Sequence, residues 1–408
     1  MNSLLDQLKS LGVELGKDKK EYKTREPVDL CSVLGGEWLE TPYGRTLHIR
    51  QTFPAYTMQG NIPLYCTQVD PAVFDLFNVA QILDDSAASP TQICFFDTET
   101  SSLNLGSGAF VFLTGFSHYL ADGNLGVDQF FLPHPAEERA FIHAVQEFLG
   151  QFTILSSYNG KSFDVPMLRS RFIFNDMQDN GLEKTHLDLL FLARALWKRR
   201  LESCRLVEVE RSILHFQRSG EDVPGWLVPI LYQDYLREGD ANPLQSVIYH
   251  NSQDVISLAA LFNVIHAMLD QESASPLEFP DDYAALAALY EKLGNHQQAE
   301  MYFHAYFSAV RTSADPEVMY DYAWQQRRKE NWSEAVQYWA QAAEQEHLPS
   351  MVELAKYYEH QEKDVQRAVQ WLERISRHDM VARRQVKDDL AKRAQRLERK
   401  GLKNDKDR

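Results

Sequence analysis

The stretch that decides the fold is ICFFDTETSSL, residues Ile93 to Leu103. Ile93, Cys94, Phe95 and Phe96 read as a buried strand, and they run directly into two carboxylates, Asp97 and Glu99. Residues two apart on a strand face the same side, so both carboxylates can leave the sheet together. Unpaired, they would repel and raise each other's pKa. Two readings follow. One is a charged turn at a strand end. The other is a site for a divalent cation, whose preference for hard oxygen ligands suits Mg²⁺ or Mn²⁺.

Working outward, strand-like and helix-like segments alternate from about residue 91 to 265. GAFVFLTGFSHY (Gly108 to Tyr119) predicts one or two strands, QFFLPH another, and EERAFIHAVQEFLGQF a helix with apolar positions at i, i+3, i+4. TILSSYN is a strand, KSFDVPMLRSRF opens a helix, and THLDLLFLARALW turns from strand to helix. Strands first and then alternation with helices predict an α/β domain with a mixed sheet. Ahead of it, LGGEWLETPYGRTLHIRQTFP predicts short strands and loops in an N-terminal extension, residues 1–90. The Ser/Pro/acid-rich stretch DQESASPLEFPDD (Asp270 to Asp282) predicts a linker. The expected organisation is thus 1–90, an α/β domain over 91–268, a linker over 269–282, a helical region over 283–376 and a tail over 377–408.

Composition narrows the class. With 408 residues, more than one domain is expected, and the 44% hydrophobic and 25% charged fractions are those of a soluble globular protein. No apolar run is expected to span a bilayer, which needs roughly 20 residues, and the first residues lack a basic start followed by an apolar core. Cys31, Cys66, Cys94 and Cys204 are scattered, so a zinc site or disulfide framework is not expected and a reduced, cytoplasmic setting is. A net charge of −16 opposes non-specific coating of nucleic acid, though it leaves room for a metal-filled site with a local basic patch.

Two further motifs bear on the carboxylates. SSYNGKSFDVPMLRSRF places Asn159 at an expected helix N-cap and Asp164 in the first turn, ahead of apolar Val165, Met167, Leu168 and Phe172. SVIYHNSQDVISLAALF predicts a helix with Val247, Val255, Leu258 and Leu261 on its buried stripe. His250 and Asp254 then share one face, as an ordinary surface pair or as part of a site.

In this order, DxE on a strand, NxxxxD opening a helix and HxxxD on a late helix resemble the DEDD exonucleases of the ribonuclease H-like superfamily. The resemblance implies that Asp97, Glu99, Asp164 and Asp254 hold two divalent ions, Mg²⁺ or Mn²⁺, in a DnaQ-like exonuclease domain. One departure stands out. That family carries either a histidine five residues before the last aspartate or a tyrosine four before; here His250 is four before and Tyr249 five before. Residues four apart on a helix point in similar directions, whereas five apart are turned by about 140°. His250 is therefore expected to deprotonate or orient the attacking water, with Tyr249 as the alternative. Lys198, Arg199, Arg200 and Arg205 form a solvated helix end or contact phosphate; Lys161 is a weaker phosphate candidate, and Asp188 a strand-end helper.

Beyond the linker the chain repeats itself. Small residues recur at Ala287, Ala323 and Ala355, and again at Ala299, Ala335 and Ala368, at spacings of 36 and 32, then 36 and 33. These bracket the roughly 34 residues of a tetratricopeptide repeat, with Phe303, Trp339 and Leu372 filling the gap between neighbours. The tail from Arg377 holds twelve Lys/Arg against six Asp/Glu, as a solvated capping helix or an auxiliary nucleic-acid contact.

Taken with LESCRLVEVERSIL and PGWLVPILYQDYL, these features resemble the YprB-type ribonuclease H-like exonucleases over nearly the whole chain. That resemblance implies a metal-dependent 3′→5′ DNA exonuclease in the cytoplasm, acting in excision repair beside a helicase, with the repeats engaging a protein partner. An RNase on the same scaffold, or a binding scaffold that has lost catalysis, are the alternatives.

Overall fold

The computed structural model describes residues 29–377 apart from 67, 70–72, 75–88, 103–107, 179–180, 270–276 and 311–313. The basic tail beyond 377, the first 28 residues and half of the expected linker lie outside the described residues.

After a short helix α1 (Leu30–Leu34), the strands β1 (Glu37–Thr41) and β2 (Gly44–Phe53) form a hairpin, and β3 (Met58–Gln59) pairs with β4 (Ile62–Pro63). The main sheet continues with β5 (Ile93–Thr100), β6 (Val111–Tyr119), β7 (Leu125–Phe131), β8 (Ile154–Ser157) and β9 (Thr185–Asp188). Its order is β1-β2-β7-β6-β5-β8-β9; β8 and β9 run parallel to β5, and every other pair is antiparallel. The sheet is therefore mixed. The extension is more than short strands: β2 has ten residues and pairs with β7 from Leu47↔Phe131 to Phe53↔Leu125, so it belongs to the main sheet.

Period-two alternation splits β5 between two cores. Ile93 and Phe95 face the long helix α7 (Leu244–Leu269), where Phe95 meets Phe262 edge-on with ring centroids 5.6 Å apart. Cys94 and Phe96 face the opposite side, with Phe141, Val145 and Phe148 of α2 (Glu138–Leu149). All four strand residues are fully buried, which fixes the register by which Asp97 and Glu99 emerge on the α7 side. The parallel pairing with β8 ends at Phe95↔Ser156, so beyond that point β5 has β6 on one side and the turn before α3 (Asp164–Phe174) on the other.

β9 runs directly into α4 (Leu189–Trp197). A short helix α5 (Leu206–Val209) continues as a π-helical stretch, Glu210–Leu214, and is followed by α6 (Val228–Glu238) and α7 (Leu244–Leu269). Contrary to the expectation from hydropathy, α7 is long and apolar enough, by length and composition, to cross a membrane. The reason is its position: it lies across the sheet, and 61% of its apolar window is buried inside the protein.

The rest of the described chain is helical: α8 (Pro280–Lys292), α9 (His296–Ala309), α10 (Pro316–Arg328), α11 (Trp332–Glu344), α12 (Leu348–His360) and α13 (Val365–Ser376). Caps set several starts. Asn295, Asp315 and Asp364 side chains accept from the N–H groups of Gln298, Glu317 and Arg367. Helices pack in consecutive pairs, and Ala287, Ala299, Ala323, Ala335, Ala355 and Ala368 are all fully buried where they meet. Phe303 and Trp339 are buried beside them.

The helical region docks on the α/β domain through a shared core. Leu192, Leu196 and Trp197 of α4 lie in one apolar cluster with Leu286, Leu289 and Tyr290 of α8. Arg200 pairs with Asp282 at 3.2 Å, and Arg199 with Asp315 at 3.3 Å and Asp321 at 3.8 Å. Two of the clustered basic residues are thus held by acidic groups of the helical region rather than presented to phosphate.

Candidate functional site

The residues singled out in sequence meet at one end of β5. Glu99, His250 and Asp254 each offer a donor atom within 4.8 Å of the others. The His250 Nε2 lies 3.8 Å from Glu99 Oε1 and 3.4 Å from Asp254 Oδ2. Asp164 joins from the first turn of α3: its Oδ1 accepts from the Thr98 N–H at 3.1 Å and from the Thr98 hydroxyl at 2.5 Å. Thr98 faces away from Asp97 and Glu99 along the strand, and this contact ties Asp164 to the strand that carries them.

Asn159 departs from the expected N-cap. The helix starts at Asp164, and Asn159 sits four residues before the preceding cap residue, Phe163, at φ 69°. The intervening turn is closed by Ser162 N–H to Asn159 O and Val165 N–H to Gly160 O. Asp188 holds that turn in place, accepting from the N–H groups of Asn159 (2.8 Å), Lys161 (3.3 Å) and Leu190 (3.2 Å). Its lone pairs are committed to backbone, as expected of a strand-end helper rather than a ligand.

Several partners were not singled out in sequence. Asn251, fully buried on α7, donates from Nδ2 to Asp97 Oδ2 at 3.0 Å and accepts from Gln129 Nε2 at 2.9 Å. It fits because its neighbour on β6 is Gly115, directly opposite Asp97 in the sheet; a methyl group there would overlap the Asn251 side-chain oxygen. Asp222, in the loop before α6, accepts from His250 Nδ1 at 2.7 Å. A carboxylate only accepts, so Nδ1 is the donor in that bond, and Nε2 faces Glu99 and Asp254. Arg218 donates to Asp254, lies 3.3 Å from His250 Nδ1, and forms a two-pronged pair with Glu210 at 2.7 and 2.8 Å. Tyr249 is turned elsewhere: its hydroxyl accepts from the Ser219 N–H at 3.3 Å and meets none of the carboxylates among the described residues. The signal for Asn251 was present in YHNSQD, one residue past His250 and turned by about 100° toward the sheet.

The site is short of positive charge. Burial, then Asp254, Asp164 and Glu99, hold the Asp97 carboxyl well above the usual carboxylate range. Burial, Asp254 and Asp164 do the same to Glu99 against the opposing pull of Arg218. Burial lifts Asp164 to about 6, even with the Thr98 bonds working the other way. Carboxylates gathered so closely favour protonation or a cation between them. Their hard oxygens form a donor set that fits a divalent ion such as Mg²⁺ or Mn²⁺.

Comparison with known proteins gives the class. Residues 94–266 match the RNase H superfamily model, and this segment, with its mixed sheet and the carboxylates at the end of β5, is an RNase H-like domain. The uncharacterized protein YprB of Bacillus subtilis (strain 168) is 29% identical over 357 residues, covering 85% of this chain and 84% of that protein. Among solved structures, the family B DNA polymerase of Pyrobaculum calidifontis aligns with a TM-score of 0.32 and 14% identity, over 58% of this chain and 35% of the polymerase.

Proposed function

We propose that this protein is a metal-dependent 3′→5′ DNA exonuclease of the DEDD type. The observation that carries the reading is the convergence of Asp97, Glu99, Asp164, His250 and Asp254 at the end of one strand, with carboxyls raised for want of counter-charge. Asp97, Glu99, Asp164 and Asp254 would hold two divalent ions, Mg²⁺ or Mn²⁺. Bound there, such ions supply Lewis acidity toward water and the phosphoryl oxygens. The chain's own residues do the rest. Asn251 fixes the Asp97 rotamer, Thr98 fixes Asp164, and Asp222 holds His250 with its free Nε2 toward the site, where it takes a proton from the attacking water. Excision repair beside a helicase, with tetratricopeptide-type repeats in the helical region engaging a protein partner, completes the proposal.

The test is release of nucleotides from the 3′ end of labelled DNA with Mg²⁺ or Mn²⁺, with matched RNA alongside. Asp97→Ala is expected to lower the rate by about 10³-fold, a loss of roughly 4 kcal/mol of transition-state stabilisation. Preferential digestion of RNA would assign the same scaffold to an RNase.

One observation favours a second reading, a nucleic-acid or protein scaffold without catalysis. Arg218 donates to Asp254 and so places a cation of the chain itself in the acidic group. A pure protein that binds neither Mn²⁺ nor releases nucleotides from any end would establish that reading.

A further inference from the structure

We propose that the cleft beside the Asp164 turn binds the phosphodiester backbone of a nucleic-acid strand, with Lys161 and Arg194 as its phosphate contacts and Phe191 as a stacking face. The proposal rests on the nuclease reading, which supplies the strand whose end reaches the carboxylates. The cleft has a volume of about 380 Å³, and its walls include Asn159, Lys161, Ser162, Phe191 and Arg194. It shares a wall with the candidate site: a methyl group on Gly160 would stand 3.1 Å from Asp164 Oδ2, so one turn borders both.

The charge pattern points to an anion. Arg199 and Arg200 are held by acidic groups of the helical region, whereas Lys161 and Arg194, both exposed, have no ion pair and no side-chain hydrogen bond among the described residues. Two unpaired cations on one cleft are notable in a chain of net charge −16. Asp188, the acid in the wall, is buried and already accepts from three backbone N–H groups. A third positive charge stands at the rim, since Lys292 Nζ of α8 lies 5.0 Å from the Phe191 ring centroid. Aromatic surface is interleaved with these cations. Phe191 is 43% exposed, and Phe163, between Lys161 and Asp164, is 51% exposed. Cations that track a backbone and aromatic faces that accept any base are the two elements of sequence-tolerant single-strand binding. The cleft would hold the strand upstream of the reacting end, leaving the terminal phosphodiester at the carboxylates.

Two measurements on the full chain test this. Binding of a 5′-fluorescein single-stranded DNA oligonucleotide, and of the matching RNA, is followed by anisotropy across a salt series in an Asp97→Asn background. Lys161→Ala with Arg194→Ala is expected to weaken binding about tenfold or more. The slope of log affinity against log salt should flatten by about 1.4, two contacts at about 0.7 each. Lys161→Arg with Arg194→Lys should restore both. In the wild-type background, metal-dependent hydrolysis of thymidine 5′-p-nitrophenyl phosphate, too small to occupy cleft and carboxylates together, should not change in the double alanine variant. Equal losses on DNA and RNA support backbone recognition; a loss confined to one shows which strand the cleft takes. Unchanged affinity and slope would overturn the proposal while leaving the nuclease reading intact if the ester is still cleaved. Loss of ester hydrolysis in the double variant would also overturn it, since the residues would then serve the carboxylates directly. A wild-type protein that cleaves neither ester nor DNA would sink the nuclease reading, and the binding series would still decide the cleft.

Discussion

Gly115 and Asn251 meet so closely that no side chain fits between strand β6 and helix α7 at that point. The amide reaches Asp97 only because the strand residue opposite that aspartate is glycine. Gly115→Ala is therefore expected to push Asn251 off Asp97. The outcome should be a loss of roughly 1–3 kcal/mol in urea unfolding, as for other overpacked cores, together with slower nucleotide release. A variant as stable and active as the parent would show that the amide contact is dispensable. The same pair shows what a sequence yields at this scale. Asp97 and Glu99 are readable because strand geometry is local and has a period of two. Asn251 and Gly115 acquire meaning only from each other, across a tertiary contact that no spacing encodes. His250 and Asp254 were readable as a shared helix face, whereas the orientation of the imidazole by Asp222 depends on where a distant loop returns.

At the scale of elements, the π-helical stretch Glu210–Leu214 and the loop after it bring Glu210, Arg218 and Asp222 against α7. The Arg218 and Glu210 side chains are 7% and 1% exposed. Removing one member of a buried pair strands the other, at roughly 3–5 kcal/mol. Arg218→Ala should show that loss in a denaturant midpoint, and Arg218→Lys, which keeps the positive charge between Glu210 and Asp254, should recover part of it. If the alanine variant is as stable as the parent, the pair is not a structural clamp. The helix α7 was legible from its apolar stripe, as was the β5 strand. The β1–β2 hairpin was not legible as part of the main sheet, because its seven-residue pairing with β7 joins segments far apart in the chain. Local propensity predicts the strands but not which edge they meet.

For the molecule as a whole, the acidic group makes stability depend on pH. Asp164 titrates near 6 when folded against an ordinary 3.8. The folded protein thus keeps a proton that the unfolded chain releases from about pH 4. This contribution is complete below that pH and is lost as pH rises through about 6, roughly 3 kcal/mol for two pKa units. In EDTA the melting temperature should fall over this window, Asp164→Asn should reduce the fall, and Mg²⁺ should reverse it at neutral pH. A flat wild-type profile would contradict the buried, uncompensated carboxyl. The helical region was visible in sequence through alanines at a near-constant period, all six now found buried between helices. How that region attaches was not visible, because Asp270 to Asp282 has the composition of a spacer. The apolar cluster nevertheless runs unbroken from β5 through α4 into α8 and α9. Its consequence is thermodynamic: a seam of this kind makes the mixed sheet and the helices one cooperative unit. Scanning calorimetry should then show a single transition with equal calorimetric and van't Hoff enthalpies, where two independent domains would give two. Whatever grips the helices in the native state would, through that seam, raise the melting point of the carboxylate site it never touches.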